Sequence, residues 1–537
     1  MCCCVIALRN TVVPLLAVVA VVTVGCAAPT PAPGEPTPAG DGTELTLADG
    51  YEPDDLNPLL GYGAEGASKF YDGLYARDGE RNLQPALAAA EATPSPDQRT
   101  WTVPLRRGVT FHDGSTLGPE DVVATYRAVL DPDRAATIRS TVPMLTAVEP
   151  VGTDAVRFEL AHPYGSFPAR LTSGILPSEV LEGGGPVSDL PVNTRAVGTG
   201  PYSLEEWRRG DTMIMKANER YWGGAPAVKR VTVVFATDDN TRAQRVAAGE
   251  FDGTVLPPAL AKAVAEQSGM ELREHASADY RTISLPFADP VAADPAIRAA
   301  LNRAVNRQGM VDALLAGQGQ PAFHPIPGVL PDQVEPAAEF TYDPAEAARI
   351  LDEAGWVPGP DGVRARDGRT ASFTLMYPAT DTIRRDLAQA FASDARAAGI
   401  DVRLEGLGWE AIEPRMGRDA LVLGGGDPFD PGFKSWQLLH SSNAADGFNN
   451  PGSYANPQVD AALDAALRAP DEASRTEQIR AFQRAYAADP GMVFLVFVGH
   501  SYVAQDRWDG YVPVVEPHTH GVTWGPWWNL EDWTPKP

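Results

Sequence analysis

One loop of this 537-residue chain concentrates groups able to hold a charged molecule. Gly424-Gly425-Gly426-Asp427-Pro428-Phe429-Asp430-Pro431 follows an apolar run, Leu421-Val422-Leu423, that reads as a strand. Ligands of α/β sheets gather outside the carboxyl ends of strands, and glycines there let backbone approach closely. Two carboxylates stand in this loop, Asp427 and Asp430, and are candidate ligand contacts. The competing role is local, because aspartate often turns a loop or caps a helix. Phe429 and Trp436 are candidates for aromatic walls, with core packing as the alternative. His518-Thr519-His520 would place two imidazoles on one face of an extended segment. No third ligand accompanies them, so no metal site and no cofactor are assigned. His112, inside a Phe-His-Asp-Gly run, is expected to serve packing or to stabilise a turn.

Enzyme signatures are missing from the sequence. There is no Gly-x-Ser-x-Gly elbow, no His-Glu-x-x-His and no phosphate loop. A secreted glycosidase working through two carboxylates is the remaining enzyme alternative, since their separation is invisible in sequence. The formal charge of −26 argues against nucleic acid, whose phosphates call for Lys and Arg. An acidic surface otherwise serves solubility.

The first residues address location. Arg9 followed by an apolar stretch from Thr11 to Val24 has the form of an export leader spanning 1–25. It ends in Thr23-Val24-Gly25-Cys26, which resembles a bacterial lipobox, with Cys26 as the lipid attachment site. Ala27 to Thr43 is rich in Ala, Pro and Thr and is expected to be an extended tether. The other cysteines, Cys2, Cys3 and Cys4, leave with the leader, so the exported body has no thiol for disulfides. It must be held by packing, and its size calls for more than one domain.

The elements that would position the loop are legible. Asp294-Pro295, Asp343-Pro344 and Asn456-Pro457 each set a capping side chain before a proline at the first helical position. Apolar stripes follow, and Gly355 and Gly399 stand where helices should stop. A further helix is expected over 382–398. Strand signals include 45–47, 101–105, 156–160, 231–235, 373–375, 402–404 and 493–498. Strand and helix alternate from 373 to 423, which is βαβ grammar and an α/β layer. Gly198-Thr199-Gly200-Pro201-Tyr202 reads as a tight corner whose glycines have access to positive φ.

Several segments together resemble the family 5 extracellular solute-binding proteins, the oligopeptide, dipeptide and nickel-binding group that serves ABC importers. They are Leu56-Asn57-Pro58-Leu59, Leu83 to Ala88, Leu105 to Gly114 with Glu120-Asp121-Val122, Gly198 to Tyr202, Asn218 to Trp222, Gly249 to Asp252, and Tyr342-Asp343-Pro344 through Gly355. Their order and spacing carry the resemblance.

The resemblance implies a two-lobed α/β fold of the periplasmic-binding type (type II, cluster C), with an extra subdomain on lobe one. Lobe one would comprise 44–85, 198–285 and 500–537, the subdomain 86–197, and lobe two 286–499. A solute would bind between hinged lobes and pass unchanged to an ABC permease. The protein would be a lipid-anchored monomer on the outer face of the cytoplasmic membrane, and no enzyme. In peptide-binding members an Asp of this loop meets the ligand's α-ammonium, and Asp427 matches it. Tyr62 and Glu65 fall in a first-lobe contact loop, and Trp409 is a further cleft candidate. Dipeptide binders also use an Arg upstream of the Asp loop. Here the stretch is Met376 to Asp381, with Arg384 and Arg385 later on a helix, so no Arg matches. Longer peptides, sugars, opines and metal chelates stay open as ligands. A receptor that signals without transport is the second non-enzyme reading.

Overall fold

Asp294, Asp343 and Asn456 cap helices as their spacing predicts. Asp294 accepts from the N–H groups of Ala296 and Ile297 at the start of Pro295–Ala304, and Asp343 from that of Glu346 at the start of Pro344–Glu353. Asn456 does the same for Pro457–Leu467. Gly355 and Gly399 take φ of +81° and +86°, the left-handed stop that a Cβ would strain. These observations come from a computed structural model, which describes residues 43–518 and 521–537. The leader, the tether, Cys26 and His520 lie outside the described residues.

Three sheets organise the body. A seven-stranded sheet runs in the order Glu271–His275, His500–Ala504, Gly253–Leu256, Glu44–Asp49, Arg230–Phe235, Thr212–Ala217, Tyr202–Arg208. A six-stranded sheet runs Gly319–Pro321, Met492–Val498, Tyr280–Ser284, Ala420–Gly425, Ser372–Pro378, Asp401–Leu407. Its last three strands are parallel, and the helix Thr382–Ala397 crosses between two of them. Apolar clusters fill both faces of this sheet, so Met492–Val498 is buried along its whole length, as its unbroken apolar sequence requires. A smaller antiparallel sheet of Thr93–Pro94, Thr100–Pro104, Ala155–Leu160 and Leu145–Val151 carries the helix Pro119–Leu130 on its face. It shares one continuous core with the seven-stranded sheet.

The chain passes from the seven-stranded to the six-stranded sheet between His275 and Tyr280, and returns between Val498 and His500. The two crossings are tied together. The Ser277 hydroxyl donates to the Val498 carbonyl at 2.5 Å, and the Val498 N–H donates to the Asp279 carbonyl at 2.8 Å.

The corner at Gly198 works differently from its sequence expectation. Neither Gly198 nor Gly200 takes positive φ. Both are needed for space: a Cβ on Gly198 would lie 2.2 Å from the Phe70 carbonyl oxygen, and one on Gly200 would lie 2.5 Å from that carbonyl's carbon. His112 braces the corner, accepting from the Gly198 N–H and donating to the Gly200 carbonyl. Asp72 closes it by accepting from Thr199, Tyr221 and Trp222.

Candidate functional site

Gly426, just past the carboxyl end of the strand Ala420–Gly425, lines a cavity of about 330 Å³. The body of the seven-stranded sheet contributes Tyr51, Asp54, Asp55, Tyr62, Glu65 and Phe235 to its wall. The six-stranded side contributes Gly426 and Lys434, and the C-terminal segment contributes His518 and Val522. Burial pushes the Glu65 carboxyl up, with Lys434 opposing, and it pushes the Asp55 carboxyl up as well. A smaller annex of about 50 Å³ shares Glu65 and Lys434 with the main cavity and adds Arg77, Arg170, Asp427 and Phe429.

The Asp427 loop is held from within. One Asp427 carboxylate oxygen accepts from the N–H groups of Phe429 (2.7 Å) and Asp430 (3.3 Å), which turns the chain. The other oxygen faces Arg170 at 3.7 Å, beyond hydrogen-bonding range. Asp427 therefore has the local role its sequence context offered, turning the loop, and it also lines the annex.

Asp430 sits differently. It is 1% exposed and caps the helix Pro431–Leu439 through the Phe433 N–H. Its carboxylate also accepts from the Tyr164 hydroxyl at 2.7 Å and pairs with Arg475, while Arg170 stands 3.5 Å away. Burial pushes this carboxyl up, but Arg475, Arg170 and Tyr164 more than offset that, so it stays below its ordinary range. Asp430 is thus saturated by protein partners. Tyr164 and Arg170 come from the segment that follows the four-stranded sheet, and Asp430 and Arg475 from helices packed on the six-stranded sheet, so the cluster ties these two parts together. Gln437 adds a bond to the Ser140 carbonyl at 3.0 Å, and Thr382 one to Asp239 at 3.0 Å.

A second polar cluster sits at the crossings. Buried Glu516 accepts from His500 at 2.7 Å and from the Tyr502 hydroxyl at 2.8 Å, and its other oxygen lies 2.6 Å from His275. Asp279 pairs with Arg281, His500 and His518. Burial pulls the His500 pKa down, yet Glu516 and Asp279 raise it to about 10. Burial pushes Glu516 up, and His500 and His275 bring it down to about 2.

The remaining sequence candidates divide. Tyr62 lines the main cavity with its ring packed on Phe70 and Tyr71. Phe429 lines the annex between Trp524 and the Arg77 guanidinium. Trp436 lines neither cavity. It stacks on Phe433 and donates its indole N–H to Asp464, which is the core-packing alternative. Trp409 also lines neither; it is 36% exposed against Phe448. Arg384 is buried beside Arg281 and pairs with Asp381. His518 serves the crossing cluster through Asp279.

Arg77, Arg170 and Lys434 were invisible to sequence reasoning: no local motif marks them, and Arg170 meets Asp427 and Asp430 across more than two hundred residues. The Gly61-Tyr62-Gly63-Ala64-Glu65-Gly66 run has the glycine spacing of a dinucleotide loop, but it follows the short turn Pro58–Leu60 and opens no helix.

Comparison with known proteins gives a consistent result. The profile of the family described as bacterial extracellular solute-binding proteins, family 5 Middle, matches residues 82–446. Protein XP55 of Streptomyces lividans is 48% identical over 469 residues, covering 87% of this chain and 86% of that protein. The oligopeptide-binding protein AppA of Bacillus subtilis is 28% identical over 499 residues, covering 89% and 90%. Its structure with a nonapeptide superposes at a TM-score of 0.79 over 92% of this chain and 99% of that one, at 24% identity. NikZ of Campylobacter jejuni, in complex with Ni(L-His), superposes at 0.82 over 92% and 99%, also at 24% identity. These structural likenesses establish the two-lobed fold.

Proposed function

The chain belongs to the family 5 bacterial extracellular solute-binding proteins, and on that footing we propose that it captures a short peptide-like solute between its lobes and hands it unchanged to an ABC permease. One observation carries the reading: the cavity is walled from both sides of the crossings and carries charged groups of both signs. A cleft of this kind desolvates its guest and gives contacts that exist only when the lobes are shut. Its volume of about 330 Å³ suits a ligand of a few residues.

In this account Asp427 and Glu65 meet the ligand's ammonium group, and Tyr62 and Phe429 provide apolar walls. Asp430 holds the closed form together as a latch. Trp436 and Trp409 have no ligand role. The protein is tethered by lipid at Cys26, acts as a monomer and performs no chemistry on its guest. The oligopeptide-binding relative AppA, matched over nine-tenths of its length, supports a peptide over a sugar or chelate.

The test is native mass spectrometry of the purified protein. The expected result is an adduct with the mass of a short peptide that is released intact on denaturation. A sugar or metal-chelate adduct, or cleavage of added peptide by the pure protein, would overturn the proposal.

A further inference from the structure

The annex beside Asp427 is short of negative charge. Arg77, Arg170 and Lys434 bring three cations to its wall, against the carboxyls of Asp427 and Glu65. The nearby carboxylate of Asp430 stands 3.5 Å from Arg170 but is shared with Arg475 and Tyr164.

Hydrogen bonding shows the same deficit. The Arg170 side chain is 9% exposed, and its Nε is buried without a hydrogen-bond partner among the described residues. The Nε and Nη2 of Arg77 are likewise buried and unpartnered, while its Nη1 donates to the Arg81 carbonyl at 3.2 Å. Buried polar groups are nearly always satisfied, and orphaned guanidinium donors on residues that line a cavity are costly. The ring faces of Phe429 and Phe433 hold the two guanidiniums at 5.0 and 4.9 Å, so neither is left to swing freely toward water.

We propose that the annex is an anion subsite, in which Arg77 and Arg170 together grip a carboxylate of the bound solute. A planar carboxylate matches the guanidinium fork, and about 50 Å³ accommodates a group of that size. The bound anion gives Arg170 a countercharge beyond Asp430 and so releases Asp427 Oδ2 to a ligand cation. Recognition is then zwitterionic, with both charges read at one end of the cleft. The inference rests on the reading of this cleft as the solute site, and it names the ligand's second anchor.

The carboxylate has two sources in a peptide, its C-terminus or a Glu side chain. The experiment uses the purified full chain and three defined tripeptide pools: free acids, C-terminal amides without acidic residues, and C-terminal amides with one Glu. Capture is read by native mass spectrometry at matched concentrations. The expected result is that the neutral amides are bound about tenfold or more weakly than a carboxylate-bearing pool, the range for losing hydrogen bonds to charged groups. Preference for free acids alone assigns the C-terminus; retention of the Glu-bearing amides assigns a side chain. Arg77→Gln should abolish the preference, and Arg77→Lys, which keeps the charge and loses the fork, should reduce it should the first variant fail to fold. Equal capture of neutral amides by the wild type, or an undiminished preference in the Arg77 variants, would overturn the subsite and leave peptide capture standing. Capture of none of the pools would overturn both.

Discussion

Tyr164→Phe is the cleanest perturbation of the latch. The substitution removes one hydroxyl and keeps the buried ring in its core. That hydroxyl donates to Asp430 at 2.7 Å, from the segment that follows the four-stranded sheet to the cap of Pro431–Leu439. Asp430 keeps Arg475, Arg170 and the Phe433 N–H, so no bare buried charge is created. The loss is that of a single hydrogen bond to a charged group, about 1.5–3 kcal/mol. Because the bond joins these two parts, the whole of that cost falls on the closed form. The dissociation constant for a captured peptide should rise by about 10- to 150-fold, mainly through faster release. Isothermal titration with several unrelated peptides checks this, since a latch weakens all of them by one factor. An unchanged affinity would remove Tyr164 from closure. A loss confined to one peptide would make the hydroxyl part of the binding surface and refute the latch.

Three other substitutions probe the loop and the crossings. Asp427→Ala should weaken amine-bearing peptides by about 2–5 kcal/mol and leave N-acetylated ones nearly unaffected; calorimetry showing equal losses would deny Asp427 its ammonium. Gly426→Ala should destabilise the fold by at least about 3 kcal/mol, because φ is +134° and the new Cβ would lie 1.8 Å from the Ala278 carbonyl oxygen. A wild-type urea midpoint would contradict that. Glu516→Gln should cost about 3–5 kcal/mol in urea unfolding, since it leaves His500 with half its countercharge. Its pH signature has a definite sign. With a folded pKa raised to about 10, the stabilisation from His500 is complete below its ordinary 6.5 and fades as pH rises through 10. The wild type should therefore lose stability between pH 7 and 10.5, and the variant should lose less; parallel profiles would refute the coupling.

The parts of the fold legible in sequence are those fixed by neighbours along the chain. Asp343 finds its partner at Glu346, and Gly355 needs only its own φ, so the helix between them can be read without tertiary information. The strand Met492–Val498 declares its burial in its own composition. The cleft is different. Tyr164 and Asp430 are 266 residues apart, and His518 meets Asp279 across 239. Such contacts depend on how two sheets face each other, which no local spacing encodes. Asp427 was legible because its loop follows a strand end, whereas the Arg170 beside it carries no such mark. Aromatic residues mislead for the same reason: Trp436 and Phe429 lie seven positions apart, yet one turns into the core beside Asp464 and the other faces the annex. The two glycines of the 198–202 corner were recognisable as necessary, but the need is room for the Phe70 carbonyl and not positive φ.

Small-angle X-ray scattering of the full chain, before and after addition of a peptide recovered from it, tests most directly whether the lobes shut on an unaltered guest. Contraction on binding, reversed on removal of an intact peptide, is the predicted result. Superimposable curves at saturating peptide, or a shape change that accompanies peptide breakdown, would contradict it.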